Sequence, residues 1–177
     1  MHPTVYDNIK TVVEGIHYDF ETENLIKIID RNDFVNLAKL SRRFEILYSS
    51  KISNELLTKV TLVFENDDWV HEVINSSEDE GCSLKIKYYL HDIDGVTLTV
   101  DNINSLLNKF FWNFNLTIDK IVRFDENFEI YYKLTIAFNT KFTENDYERI
   151  EDICIQNYKL LSKLLEESKK GEIHAGL

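Results

Sequence analysis

Proline occurs once in this chain, at position 3, and glycine five times in 177 residues, so the backbone is nearly free of the residues that interrupt regular elements. Such a chain passes from element to element through short polar turns rather than flexible linkers, and its apolar stretches have to be told apart by period. Hydrophobic residues make up 44% of the composition, enough to fill a substantial core, and disorder of the chain as a whole is excluded.

Residues 42–50 alternate apolar and polar through Phe44, Ile46 and Tyr48, as a half-buried strand does, and 59–65 alternate likewise, which predicts an antiparallel pair. A second pair is expected from 115–124 and 128–138 around the turn Asp125-Glu126-Asn127. Nearer the amino terminus, 11–20 is rich in aromatic and β-branched residues and reads as a strand, joined through Glu21-Thr22-Glu23 to another at 24–29. Residues 83–90 read as a strand whose hairpin partner is 96–100.

Helices are expected at 30–40, with Asp30 or Asn32 as cap and Phe34, Leu37, Ala38 and Leu40 on one face; at 67–77, with Trp69, Val70, Val73 and Ile74 aligned; and at 101–114, capped by Asp101. The last helix, 143–169, carries the fullest set of signals. Thr143 with Asp146 approximates a capping box, Tyr147, Ile150, Cys154, Leu161, Leu164 and Leu165 form a stripe, and Lys169, Lys170 and Gly171 suit its carboxyl end. Together these elements predict an α+β fold of antiparallel sheets and helices. They also suggest two similar β-β-α-β-β-α halves, 1–78 and 79–177, in one compact body. The repeat is read from element order and from matches such as Asp30 with Asp101 and Phe64 with Phe138, because a repeated unit can bury its open apolar face against its copy.

A formal charge of −11 disfavours nucleic acid and anionic membranes as partners, since both are approached through clustered Lys and Arg. No stretch nears the roughly 20 apolar residues of a membrane span, and the amino terminus lacks the pattern of a secretion signal. Cys82 and Cys154 have neither metal-ligand nor disulfide spacing. A reducing, cytoplasmic location is expected, and the abundance of Ile, Asn and Lys fits AT-rich bacterial coding.

The stretch "YYLHDIDG", 88–95, gathers His91, Asp92, Asp94 and Gly95, but its glycine comes two residues too early for a calcium loop. Asp-Gly between two alternating runs is instead a hairpin signal. His71 and Glu72 are adjacent, so a helix would point them in different directions, and His17 falls in the expected first strand. The candidates for catalysis are therefore His91, Asp92, Asp94, His71 and Glu72, and no metal or cofactor is expected. More aromatic surface stands at Phe110, Phe111, Trp112 and Phe114 than one helix face can bury. This makes Trp112, with Phe111, a candidate contact patch for a second copy of the chain or for another protein. The expected function is a non-catalytic interaction or regulatory binding module. The alternatives are an enzyme or ligand-binding protein with its site in a cleft between the halves, or a ligand cavity under the last helix.

Overall fold

The computed structural model describes residues 4–65, 81–91, 100–124 and 129–174. The chain opens with α1, Thr4–Thr22, not with the strand expected at 11–20. Tyr6, Ile9, Val13 and His17 are all buried, and their spacing is that of one helix face, so amphipathic period overrides the β-branched content of the same stretch. Asn24 ends the helix with φ 59°; the Leu25 N–H donates to the Phe20 carbonyl at 2.9 Å and the Asn24 N–H to that of Glu21 at 3.0 Å. This double closure is a Schellman turn, and it replaces the hairpin expected between 11–20 and 24–29.

Then follow β1 (Ile26–Asn36), β2 (Ser41–Ser50), β3 (Ser53–Phe64), β4 (Ser83–His91), α2 (Val100–Leu107), β5 (Phe114–Arg123) and β6 (Glu129–Phe138). A 3-10 turn, Glu144–Asp146, leads into α3, Tyr147–His174, which continues through Gly171 instead of stopping there. All six strands join one antiparallel sheet in the order β1-β2-β3-β4-β6-β5. The fold is thus α+β, with an antiparallel sheet and a long C-terminal helix. Its described elements do not repeat strand, strand, helix, because the first span opens on a helix and 30–40 is largely strand.

The helix expected at 30–40 is corrected: residues 30–36 continue β1, and Leu37, Ala38 and Leu40 fall in the turn to β2, so the spacing read as one helix face belongs to a hairpin tip. The register of β1 on β2 slips between Ile28 and Asp30, so Ile28 faces Tyr48 while Arg31 faces Ile46, and two residues three apart share a face. The bulge, with Lys27, Asp30 and Arg31, also roughens an edge that would otherwise invite another strand. At the β1–β2 tip Phe34, Val35, Leu37 and Leu40 remain exposed.

Across the sheet the register brings Ile46, Val60, Ile86, Ile136 and Leu116 into one row, and Tyr48, Thr58, Tyr88, Leu134 and Ile118 into the next. Both rows belong to the face that α1 and α3 cover; the two helices meet through the Phe20 and Tyr158 rings, 5.5 Å apart. The amino end of α1 is fixed to the β1 edge by Asp33, which accepts from the Tyr6 hydroxyl and Lys10 at 2.9 Å and from Arg42 at 3.1 Å. On the opposite face the middle row reads Leu47, Lys59, Lys87, Thr135 and Thr117.

Strand β4 is paired on both sides, to β3 and to β6, and Val100 belongs to α2; the rest of the hairpin partner expected at 96–100 lies outside the described residues. The helix expected at 101–114 ends early, at Leu107. The expected helix at 67–77 and the turn at 92–95 lie outside the described residues.

Candidate functional site

Where α2 stops, the chain tightens: the N–H groups of Phe110 and Phe111 both donate to the Leu107 carbonyl, at 2.9 and 2.8 Å. It then reverses at Asn113, whose φ of 53° lies in the left-handed region that asparagine tolerates better than most residues. The reversal is held from the residue after β6, because the Asn139 N–H donates to the Asn113 carbonyl at 3.0 Å and its side-chain amide to Asn113 Oδ1 at 3.3 Å. As a result two adjacent aromatic residues part company: Phe111 is 4% exposed and Trp112 is 52% exposed.

Trp112 is held in place by α3. The Arg149 guanidinium lies 4.5 Å from the centre of the indole and 5.6 Å from that of Phe142, and its Nη1 donates to Asp146 at 2.7 Å. Asp146 is in turn the acid of the capping box expected from the sequence, accepting from the Thr143 N–H at 2.9 Å and the Thr143 hydroxyl at 3.0 Å. Burial works to raise the Asp146 carboxyl, but the Thr143 N–H and hydroxyl, with Arg149 beyond them, overcome it and hold the group below the usual carboxylate range. A local helix start therefore places a cation over an aromatic ring supplied by a different part of the chain.

Between this ring and α3 lies a recess of about 270 Å³. Its floor is Phe111, Phe138 and Ile153, all buried, with the two Phe rings edge-to-face at 5.6 Å. Phe110, Trp112 and Arg149 form the walls, and Lys109, Asp152 and Gln156 the rim. Among the described residues neither the Lys109 ammonium nor the Asp152 carboxylate has an ion-pair partner.

Phe138 of the floor packs edge-to-face on Phe142, ring centres 5.9 Å apart, and the Phe142 backbone lies against Gly81. The Cys82 N–H donates to the Phe142 carbonyl at 2.8 Å and the Phe142 N–H returns to Cys82 at 2.9 Å, a bridge that brings the two backbones together. With φ 145° and the Phe142 oxygen 2.5 Å from where a Cβ would sit, residue 81 has to be glycine.

A second polar cluster lies under α3 and is sealed. The Tyr88 hydroxyl donates to Asn157 Oδ1, and Asn157 Nδ2 donates to the Tyr48 hydroxyl, with all three residues at most 1% exposed. His17 lies against Tyr48, ring centres 4.9 Å apart, and its Nδ1 is 2.7 Å from the Val13 carbonyl, leaving Nε2 buried without a partner. Burial drives its pKa down to about 4 despite the Val13 contact, and pushes the Cys154 thiol up to about 12. These groups are kept neutral and away from solvent, which suits packing rather than reaction.

Of the expected site residues, Trp112 and Phe111 are brought to one recess, as its wall and its floor, though from a loop and not from a helix face. His91 ends β4, and Asp92, Asp94, His71 and Glu72 lie outside the described residues. Among the described residues no three His, Cys, Asp or Glu side chains converge as metal ligands, and no helix is long and apolar enough to cross a membrane. Sequence reasoning missed Arg149, Lys109 and Asp152. Arg149 does stand three residues beyond Asp146, a helical pairing distance, but nothing local shows that it reaches Trp112. No family model, curated protein or solved structure matches the chain.

Proposed function

We propose that this chain is a non-catalytic binding module whose point of contact is the recess beside Trp112. The observation that carries this reading is an indole left 52% exposed while Arg149 and the Asn113 reversal hold it in one place. A tryptophan buries about 150–250 Å² when fully covered, so covering the exposed half gains about 2–3 kcal/mol at 25 cal/mol per Å². Because the ring is already positioned, little of that gain is lost to ordering it. Tryptophan and arginine are also the residues that dominate contact energetics, and neither an indole nor a guanidinium changes its ionisation state near neutral pH.

The test is a nitrogen-15 correlation spectrum recorded against ring-bearing solutes of each charge type and short aromatic peptides. We expect saturable shifts gathered at the Trp112 indole N–H and the Arg149 Nε–H, and loss of the Arg149 shift in Trp112→Ala. Shifts that gather elsewhere, or none at millimolar solute, overturn the reading.

A further inference from the structure

We infer that the recess accepts a small zwitterion built on an aromatic ring, the class to which free aromatic amino acids belong; the inference rests on the reading of the recess as a binding site. Three properties of the cavity converge on that chemistry. Its volume of about 270 Å³ lies just below the roughly 300–1,000 Å³ of drug-sized ligand pockets, which limits it to one ring with a short polar head. Its floor of Phe111, Phe138 and Ile153 offers a ring only apolar and edge-to-face contacts. Its rim carries one charge of each sign on different segments, Lys109 after α2 and Asp152 on α3, and among the described residues neither is neutralised by a neighbour.

The charge arrangement selects among ligands. Arg149 is committed to Asp146, so the charges left to the rim are those of Lys109 and Asp152, and they cancel. A simple aromatic anion would gain Lys109 but stand against Asp152; an aromatic cation would gain Asp152 but stand against Lys109. A ligand with an ammonium and a carboxylate on the carbon chain attached to its ring satisfies both, the carboxylate toward Lys109 and the ammonium toward Asp152. Gln156, one turn beyond Asp152 on α3, adds an amide able to donate or accept at the same rim.

The experiment uses the full chain in a Trp69→Phe background, so that fluorescence excited at the red edge reports Trp112 alone, with heats of binding measured in parallel. Phenylalanine, 3-phenylpropionate, phenethylamine and N-acetyl-phenylalanine amide are titrated separately. We expect phenylalanine to change the Trp112 emission saturably, and each of the others to bind at least about ten-fold more weakly. Asp152→Asn should weaken phenylalanine about ten-fold while leaving 3-phenylpropionate unchanged or tighter; Lys109→Met should do the same in favour of phenethylamine. Both positions are exposed, so the variants are expected to fold.

An anion or a cation that binds as tightly as the zwitterion overturns the inference and leaves the recess standing as a binding site. Preference for the blocked amide does likewise and points to a peptide side chain as the occupant. Failure of every ring-bearing solute to move Trp112 removes the inference and the binding reading together.

Discussion

Helix α3 takes part in two polar constellations. Toward the sheet, Asn157 joins two buried hydroxyls, its Oδ1 accepting from Tyr88 and its Nδ2 donating to Tyr48. Toward solvent, Asp152 and Gln156 rim a recess in which the Trp112 indole is half exposed and Lys109 stands opposite without a counter-ion among the described residues. A buried polar group left unpaired costs about 1–3 kcal/mol, so the bonds through Asn157 matter where His17 Nε2 nearby already lacks a partner, whereas rim groups are kept solvated at little cost until something arrives to pair with them. Stability should therefore depend on the first constellation and recognition on the second.

The largest expected effect breaks the interior cluster. Asn157→Leu keeps most of the volume but leaves the Tyr48 and Tyr88 hydroxyls buried and without the partner that joins them, for a loss of about 3–5 kcal/mol in urea unfolding. Adding Tyr48→Phe and Tyr88→Phe should restore part of it, because an apolar core of similar shape has no unmet groups. A loss under about 1 kcal/mol would mean that the cluster does not hold α3 to the sheet.

Acid should reveal His17 next. Its folded pKa of about 4 lies below the ordinary value of 6.5, so the unfolded chain takes up the proton first. The neutral ring's contribution is complete above pH 6.5, falls as pH drops from there through 4, and totals about 3 kcal/mol. Asp33 and Asp146, both held below the carboxyl reference of 3.8, lose their contributions lower on the scale. In His17→Leu the slope of stability against pH between 4 and 6.5 should flatten relative to the wild type; an unchanged slope would place the buried charge cost elsewhere.

The Asn113 reversal joins the two regions. A β-branched residue in the left-handed region is strained, so Asn113→Val should cost about 1–3 kcal/mol and move Trp112 emission, whereas Asn113→Gly should stay within about 0.5 kcal/mol. Equal behaviour of the two variants would show that backbone conformation at this residue does not set the position of the indole.

How much of this was legible in the sequence depended on how far each signal had to reach. The capping box at Thr143 and Asp146 and the strands through Phe44 and Leu134 are local patterns, and the structure keeps them. Within 11–20, local β-propensity opposed a helical period that includes Tyr6 and Ile9, just outside that window. At 34–40 apolar residues of a strand end and of the turn that follows it fell at helical spacing and made a hairpin tip resemble a helix. In the recess, the surplus of aromatic residues at 110–114 was visible, but Arg149 and Asp152 come from α3 and meet that loop only through tertiary packing.

The smallest expected effect on stability tests the outer constellation from the opposite side. Lys109 and Asp152 are exposed and make no ion pair among the described residues, so neither contributes measurably to folding. Lys109→Met and Asp152→Asn should each shift urea unfolding by less than about 0.5 kcal/mol, the ordinary range for surface changes. Arg149→Met should cost somewhat more, about 1 kcal/mol, because it removes the stacking on Trp112 and Phe142 and leaves Asp146 dependent on Thr143. The order Arg149 above Lys109 and Asp152 separates a residue that builds the recess from residues that only face into it. If Asp152→Asn proved as destabilising as Arg149→Met, Asp152 would be part of the scaffold, and the division between an interior that stabilises and a rim that recognises would fail at its boundary.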